Sequence, residues 1–281
     1  MSIRRRFLPQ GWYPGSAAAC RQEIEEMRGR IRDPQPVPAG LFGGVVPHAG
    51  WYFSGAVAAK VVELVARGGA PDVIAVIGGH LGGYGAGLVY LEEGWETPLG
   101  DIAMDVDLAR ALEKKMGLEV ERDSTGDNTV EVQLPLIKYF FPESRMVALR
   151  GPHSQAAVAL GRELVGLAQA QGKSLKVIGS TDLTHYGPNY GFMPQGEGQK
   201  AVDWVRNVND KGFIDLALGM DVSGLLQHAA RYHSACSAGA AAAAIAACQV
   251  LGSRQGVLVA YYTSNEVMAG DSFVGYAGIV Y

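Results

Sequence analysis

The chain contains 281 residues, of which 48% are hydrophobic and 19% are charged, a composition that excludes a disordered protein and allows a large buried core. Its 24 basic and 28 acidic side chains leave a net charge of −4, so no strong positive field favours nucleic acid. Three scattered cysteines, Cys20, Cys236 and Cys248, argue against a disulfide scaffold and predict a reducing compartment.

Short β-branched runs alternate with helical patterns, which predicts an α/β fold with a central, largely parallel or mixed β-sheet flanked by helices. The predicted strands are Leu41–Val46, Val73–Ile77, Gly87–Leu91, Arg145–Leu149, Leu175–Ile178, Val257–Thr263 and Ser272–Tyr281. The predicted helices are a segment capped by Ser54 and stopped by Gly68–Gly69, a segment capped by Asp105, then Val130–Phe141, Ala156–Ala170, 199–210, 212–219, 221–230 and 235–250.

Three features complete this organisation. Pro135 forces a kink or a late start of the helix that contains it. Gly187–Gly198 lacks periodicity and predicts a long loop of the kind that forms a lid or the wall of a site. No repeat, linker or charge run interrupts the chain, which favours a single domain.

Two segments share some features with a targeting signal or a membrane-spanning helix. Arg4–Arg6 resembles the start of a twin-arginine export signal, but Pro9–Gly15 follows where an apolar stretch is required. The alanine-rich run from Ala238 to Ala247 is too short and too weakly hydrophobic to span a bilayer. The sequence therefore predicts a soluble, cytoplasmic protein with neither a membrane nor a nucleic-acid partner.

Three of the six histidines follow predicted strands. His48 comes after Val45-Val46-Pro47, His80 after Val76-Ile77-Gly78-Gly79, and His185 after the strand that ends at Ile178 and its polar continuation. Because ligands bind at the carboxyl edge of an open α/β sheet, these imidazoles would converge on one cleft if the strands are neighbours. Taken singly, each histidine also fits an ordinary loop or core position, and it is the three together that favour a site.

Cys236 lies at the predicted start of the alanine-rich helix, where the amide dipoles lower the pKa of a thiol and favour the thiolate. The alternative is a small buried residue, as we expect for Cys248 deep in the same helix. Two imidazoles and a thiolate suit zinc, iron(II) or copper rather than calcium or magnesium. Three protein ligands would leave a position open, with His185 free to act as acid or base.

Polar side chains near these histidines are candidates for ligand contacts. Asp182 either orients an imidazole as a hydrogen-bond acceptor or caps its own turn. Asn128 and Glu131 either point into the cleft and bind polar groups of a ligand, or belong to a helix start that Asp127 or Thr129 caps.

An aromatic run follows the first of the three histidines. Trp51, Tyr52 and Phe53 either form an aromatic wall beside His48, or pack at least in part in the core. The predicted substrate-binding residues are Trp51, Tyr52, Asn128, Glu131 and Asp182.

Four segments together resemble the Memo family, which in bacteria and archaea is called AmmeMemoRadiSam system protein B. They are Trp12–Pro14, Pro47–Gly55, Asn128–Pro135 and Ser180–Gly187. The proline-histidine-alanine-glycine and threonine-aspartate-leucine-threonine-histidine blocks are specific, and the resemblance covers nearly the whole chain in the expected order. It implies one Memo-like domain over residues 1–281, with a fold similar to the class III extradiol ring-cleaving dioxygenases, which use non-haem iron(II).

Carried over to this sequence, the resemblance implies that His48 and His80 bind the metal. Cys236 matches the position where Memo proteins have a cysteine and the dioxygenases a glutamate, and His185 matches the acid–base histidine. The chain departs from the family at two places, with Asp127-Asn128-Thr129 in place of glutamate-histidine-serine and with Ser237 in place of a glycine.

The resemblance implies an iron(II)-dependent oxidoreductase of dioxygenase type that takes a chelating small molecule, with copper or zinc as alternative metals. A thiolate in place of the carboxylate makes the site vulnerable to oxidation, which argues against simple ring cleavage. The alternative is a non-catalytic module that binds a metal or a peptide in the cleft and works with radical SAM and AMMECR1-type partners. Zinc-assisted hydrolysis is a third hypothesis, because an open three-ligand site lowers the pKa of bound water.

Overall fold

Short strands and helices alternate through residues 2–36, 39–121 and 126–281, which the computed structural model describes. The strands are β1 (Ile3–Arg4), β2 (Gly43–Val46), β3 (Val73–Gly78), β4 (Leu88–Val89), β5 (Gly94–Trp95), β6 (Ile102–Ala103), β7 (Glu119–Val120), β8 (Arg145–Arg150), β9 (Leu175–Ser180), β10 (His185–Tyr186), β11 (Val257–Thr263) and β12 (Phe273–Val280). The helices are α1 (Ala17–Arg28), α2 (Trp51–Ala66), α3 (Val106–Met116), α4 (Asn128–Glu131), α5 (Leu134–Phe140), α6 (Gln155–Ala170), α7 (Gln199–Trp204), α8 (Asp210–Leu218), α9 (Val222–Tyr232) and α10 (Ala238–Leu251).

Nine of the described strands form the main sheet, in the order β10-β12-β2-β9-β3-β8-β4-β7 with β11 paired to β12. The four central strands β2, β9, β3 and β8 are parallel, and their carboxyl ends therefore lie at one edge. Antiparallel pairs of β12 with β2 and of β4 with β8 make the sheet mixed. This is the mixed α/β architecture, with a central sheet flanked by helices, that the sequence predicts. A separate small sheet joins β1, β5 and β6.

The central strands are mostly apolar, as expected for a sheet that helices cover on both faces. On β3, Ile74 and Val76 pack in one hydrophobic cluster with residues of α2, such as Val62. Ala75 and Ile77, which point to the opposite face, pack in another cluster with residues of α6 and α10. Two layers of helices thus hold the sheet between them, and the loops at its carboxyl edge are left accessible.

Helix α10 is buried from Ala238 to Cys248, and its alanines allow it to lie close to the sheet and to α6. A Cβ atom on Gly161 of α6 would lie 2.0 Å from the carbonyl oxygen of Ala243, so only glycine fits at that crossing. The close contact fixes α10 against the sheet and with it the segment that precedes Ala238, where Cys236 lies. No helix within the three described ranges is both long and apolar enough to cross a bilayer.

The helix after β2 begins earlier than the sequence suggests. Gly50 rather than Ser54 is its N-cap, and Ser54 lies buried in the second turn with its hydroxyl donating to the Ala49 carbonyl at 3.2 Å. The late start that Pro135 imposes is confirmed, because two short helices, α4 and α5, replace one long one and Pro135 lies in the first turn of α5.

Two further differences concern segments outside the central strands. Helices α7 and α8 are joined without a break by a π-helix at Val205–Asn209, where the sequence analysis expected separate helices. Helix α1 was not predicted. Its apolar residues are few, and its buried stripe consists of Cys20, Ile24 and Met27.

Candidate metal centre

The order of the central strands brings the candidate ligands to one place. Strand β9 lies between β2 and β3, and all three run in the same direction. His48, Asp182 and His80 each follow their strand (β2, β9 and β3) at the same short distance along the chain. Cys236 reaches the same edge from α10, and its backbone N–H donates to the Asp182 carbonyl at 3.2 Å.

His48, His80 and Cys236 form a compact cluster. Their ligand atoms all lie within 4.8 Å of one another, with the Cys236 Sγ atom 3.1 Å from the His48 Nε2 atom. The two imidazole rings are nearly perpendicular, with centroids 4.9 Å apart. Two imidazoles and one sulfur at such distances could hold a single transition-metal ion.

The three side chains also determine one another's charge. Burial disfavours a thiolate at Cys236, but the adjacent His48 and His80 lower the pKa of this thiol well below its usual value. Burial likewise opposes a proton on His48, yet the Cys236 thiolate and Asp182 raise its pKa to about 9. A metal ion that binds here has to displace the imidazole protons, so the metal affinity rises with pH.

His80 is held in place by Asp127. The Asp127 Oδ2 atom lies 3.2 Å from the His80 Nδ1 atom, and this contact is the largest cause that raises the pKa of His80 to about 10. A carboxylate only accepts, so Nδ1 carries the hydrogen and Nε2 is left to bind a metal. His80 also has a φ of 56°, a left-handed conformation that few residues adopt outside functional sites.

Arg150, at the end of β8, ties this corner of the site together. Its guanidinium is buried and donates from Nε to the Gly79 carbonyl at 2.8 Å and from Nη1 to Glu121 at 3.0 Å. Its Nη2 atom lies 3.3 Å from the Asp127 Oδ2 atom, the same oxygen that holds His80. One buried cation therefore supports both the backbone before His80 and the carboxylate that orients its ring.

Asp127→Asn is expected to weaken metal binding by about 10- to 100-fold, because the substitution removes the charge that orients His80 and keeps the shape of the side chain. Asp221→Asn is the matched control, since Asp221 also caps a helix, through its hydrogen bond to the Gly224 N–H, and touches no candidate ligand. Competition with a chelator measures both affinities for zinc. Equal affinities for the two variants would contradict a role for Asp127.

Ser237, where the chain departs from the family pattern, contributes its hydroxyl to the site. The Ser237 Oγ atom accepts from the His80 N–H at 3.1 Å, and the Ser237 N–H donates to the Thr181 hydroxyl at 3.0 Å. A Cβ atom on Gly79 would lie 2.2 Å from the Ser237 Cβ, so this approach requires glycine at position 79. The loops after β3 and β9 are thus connected through the residue next to Cys236.

These residues lie at a cavity of about 510 Å³, the metal cleft. Of the predicted site residues, His48, His80, Asn128, Asp182 and His185 line it, and Cys236 touches His48 at its base. The Asp182 carboxylate accepts from the His48 N–H at 2.7 Å, and the Asn128 amide donates to the His48 carbonyl at 2.9 Å. The two roles considered for Asn128 are compatible, because it begins α4 and also lines the cleft. Asp182 differs from both of its expected roles, because its described side-chain hydrogen bond goes to the His48 backbone and its Oδ2 atom lies 3.9 Å from the His48 Nε2 atom.

The His185 imidazole is oriented by its own turn. Its Nδ1 atom lies 3.2 Å from the Leu183 carbonyl, which can only accept, so Nδ1 carries the hydrogen and Nε2 has a free lone pair. The preceding residue, Thr184, is fixed by Asp210, whose Oδ1 atom accepts from the Thr184 N–H at 3.1 Å and from its hydroxyl. The other Asp210 oxygen accepts from the Tyr261 hydroxyl at 2.8 Å.

The π-helix at Val205–Asn209 helps to explain this support. It directly precedes Asp210, and a π-helix turns the residues around it relative to a regular helix. Asn209 and Asp210 both reach Thr184, with the Asn209 amide donating to the Thr184 hydroxyl at 2.9 Å.

Asp210 also gives the protein a specific pH dependence of stability. Burial raises the pKa of its carboxyl from 3.8 to about 7, against the opposing effect of the bonds from Thr184 and Tyr261. A raised pKa means that the folded state favours the proton, so this group stabilises the fold below about pH 4 and loses that contribution as the pH rises through 7. The free energy of unfolding of the wild type relative to Asp210→Asn should therefore fall by up to about 4 kcal/mol over that interval.

Chemical denaturation at a series of pH values measures this difference. Asp215→Asn serves as the control, because Asp215 lies on the same helix, is exposed and pairs only with Lys211 among the described contacts. If the free energies of unfolding of the wild type and of Asp210→Asn changed in parallel with pH, the raised pKa of Asp210 would be contradicted.

The expected aromatic wall of Trp51, Tyr52 and Phe53 is wrong in two of its three members. Trp51 is buried in the core, where its indole N–H donates to the Val132 carbonyl at 3.1 Å, and Tyr52 is 62% exposed away from the cleft. Only Phe53 lines the metal cleft. The reason is the early start of α2, since successive helical residues point about 100° apart and three in a row cannot share a face.

Glu131 does not point into the cleft, and the expectation that it does is corrected. Its carboxylate is buried and accepts from the N–H groups of Phe7 and Leu8 and from the Tyr13 hydroxyl at 2.8 Å. Glu131 thus anchors the amino-terminal segment beside the site. This segment also supplies Trp12, which lines the metal cleft and which the sequence analysis did not single out as a site residue.

Known proteins resemble the chain over nearly its whole length. A family model described as Memo-like protein matches residues 8–280. A MEMO1 family protein of Methanopyrus kandleri is 33% identical, covering 96% of this chain and 95% of its own. A MEMO1 family protein of Methanothermobacter thermautotrophicus is 31% identical, covering 98% of this chain and 99% of its own.

A solved structure gives an independent comparison of the fold. The crystal structure of an uncharacterized protein from Escherichia coli K12 matches with a TM-score of 0.51 and 12% identity, over 86% of this chain and 99% of that one. At this identity the match shows a shared fold and nothing about activity. The family model and the relatives, which agree over almost every residue of the fold described above, show that the chain belongs to the Memo family.

Proposed function

We propose that this chain is a metal-dependent oxidoreductase of dioxygenase type, in which His48, His80 and Cys236 hold iron(II) within one Memo-like domain spanning residues 1–281. The observation that supports the proposal is the cluster of two imidazoles and one thiolate, with ligand atoms within 4.8 Å, whose two imidazoles line a cavity of about 510 Å³. Iron(II) bound there would supply redox and Lewis-acid chemistry next to the substrate. Copper and zinc suit the same donor set, and metal analysis of protein purified without oxygen distinguishes them.

The side chains around the cluster have roles that follow from their contacts. His185 presents the free lone pair of Nε2 to the cavity and accepts a proton from a bound hydroxyl group, or returns it. Asn128 and Asp182 hold the backbone of His48 from two sides and offer polar atoms to a substrate. Asp127 keeps His80 oriented, and Trp12 and Phe53 exclude water from the apolar part of the cleft.

Oxygen uptake tests the proposal. Protein is loaded with iron(II) without oxygen, mixed with a panel of catechols and exposed to oxygen in an electrode chamber. We expect uptake with at least one diol, and we expect His185→Gln to keep the metal and lose the uptake. No uptake with any diol by fully loaded protein would reject dioxygenase chemistry, and activity on esters without oxygen would favour zinc-assisted hydrolysis instead.

A second candidate is a non-catalytic module that captures a peptide in the same cleft. The observation that favours it is the exposed apolar rim, where Tyr190 is 47% and Met268 is 60% exposed. The partners to test are the radical SAM and AMMECR1-type proteins. Capture of either partner by wild type and equally by His48→Ala would favour this candidate, because binding would then not require the metal ligands.

A further inference from the structure

A second cavity adjoins the metal cleft. It has a volume of about 790 Å³, and His185 and Tyr190 line both cavities, so these two side chains separate them. The rings of His185 and Tyr190 meet edge to face with centroids 4.9 Å apart. Cys236 lines the second cavity, which we call the second chamber, and His48 and His80 line the metal cleft. The candidate metal site is therefore accessible from two sides.

The two cavities differ in chemical character. Both have apolar side chains in their walls, but the metal cleft also has two carboxylates, Asp182 and Asp271, together with the polar groups of Asn128, Asn189, Ser264 and Ser272. Among the described residues that line the second chamber, none is an aspartate, glutamate, lysine or arginine. Its wall contains aliphatic and aromatic groups, namely Leu81, Phe192, Ala229, Ala230 and Ala235. Its polar side chains are His153, His185, His233, Tyr190 and Cys236. An uncharged apolar group placed against the aliphatic and aromatic part of the wall would be removed from water.

The walls of the second chamber are also rigid on one side. Phe192 packs against Tyr186, Trp204 and His233 through tilted and edge-to-face ring contacts. Helix α9 contributes the small residues Ala229 and Ala230 to the wall of the same cavity. A flat ring bound in this cavity can gain face and edge contacts with the aromatic side chains of its wall, which a branched aliphatic chain cannot.

We infer that the substrate has two parts, a chelating polar head in the metal cleft and a flat, uncharged aromatic arm in the second chamber. This inference rests on the proposed function and specifies its substrate class. A molecule that extends from one cavity into the other has to pass His185 and Tyr190, the two residues that line both. His185, which lines both cavities, then lies beside the junction of head and arm.

Two measurements test the second chamber, and the first needs no metal. The neutral probe N-phenyl-1-naphthylamine should fluoresce strongly with the wild type, because its rings enter the chamber. Ala230→Trp should abolish this fluorescence, because the large side chain fills the second chamber. Ala230 is an exposed residue of the chamber wall, so the substitution does not disturb the core. Gln227→Trp, at an exposed position of the same helix that lines neither cavity, should leave it unchanged.

The second measurement compares two ligands of the zinc-loaded protein by calorimetry. Wild type and Gln227→Trp should bind 4-phenylcatechol at least about tenfold more tightly than catechol, because the phenyl ring is buried in the chamber. Ala230→Trp should bind the two diols equally, with its affinity for catechol unchanged.

The outcomes separate the two proposals. If catechol binds and the phenyl group adds nothing, or still adds its full gain in Ala230→Trp, the two-part substrate is rejected and the proposed function stands. If neither diol binds to zinc-loaded protein, the chelating head of the proposed function is rejected. The chamber is then judged by the fluorescent probe alone, and equal fluorescence of wild type and Ala230→Trp overturns it.

Discussion

Replacing either His48 or His80 by alanine is expected to abolish stoichiometric metal binding. Each ligand of a protein metal site contributes on the order of 3 kcal/mol to binding, so the loss of one of three weakens the affinity by roughly a hundredfold or more. The remaining imidazole and the Cys236 thiolate cannot hold an ion alone against competing buffer ligands. Elemental analysis after dialysis of anaerobically loaded protein measures the effect.

His185→Ala is the matched control for this experiment. His185 lines the same cleft as His48 and His80 but does not belong to the cluster whose ligand atoms lie within 4.8 Å. The His185→Ala variant should therefore keep most of its metal. Loss of metal from His185→Ala, together with retention by His48→Ala, would place the ion at different residues.

Arg150→Met should cost about 3 kcal/mol of folding free energy or more, because it removes one partner of a buried ion pair. The Asp127 carboxylate is largely buried, which raises its pKa, but the hydrogen bonds with His80 and Thr129 and the charge of the Arg150 guanidinium together keep its pKa below the usual value. Without Arg150 the loop before His80 also loses the hydrogen bond at the Gly79 carbonyl. We expect a clear fall in the melting temperature and weaker metal binding in the same variant.

Arg162→Met separates this effect from the general loss of a positive charge. Arg162 is an exposed residue of α6, and its replacement should change the free energy of unfolding by less than about 0.5 kcal/mol. Chemical denaturation of both variants at one pH provides the comparison. If Arg150→Met were as stable as Arg162→Met, the buried network would not support the site.

The sequence predicted the ligand cluster for a reason that lies in the strands. His48 and His80 follow runs of apolar, β-branched residues, and the carboxyl ends of parallel strands meet at one edge. Sequence patterns do not reveal the order of strands in the sheet. That β9 lies between β2 and β3, and so brings Asp182 between the two histidines, depends on tertiary packing.

The incorrect predictions have local causes. Helix α2 begins a few residues earlier than the sequence predicts. Because successive helical side chains point about 100° apart, Trp51 lies in the core and Tyr52 lies at the surface. Glu131 was misplaced for another reason. Its partners are the distant N–H groups of Phe7 and Leu8, and no spacing in the sequence connects them to it.

The support of His80 by Asp127 illustrates what the sequence cannot distinguish. An aspartate before a helix predicts an N-cap, and Asp127 indeed accepts from the Thr129 N–H at 2.9 Å with one oxygen. The same carboxylate holds His80 with its other oxygen. A capping residue and a residue that orients a metal ligand have the same sequence pattern, and only the position of β3 beside α4 shows that Asp127 does both.

X-ray absorption of the zinc-loaded protein tests the central claim most directly, because it reports the atoms bound to the ion. We expect one sulfur at about 2.3 Å and imidazole nitrogens at about 2.0–2.1 Å, with the sulfur lost in Cys236→Ser. A spectrum with no sulfur neighbour, or one that Cys236→Ser leaves unchanged, would contradict a centre built from His48, His80 and Cys236.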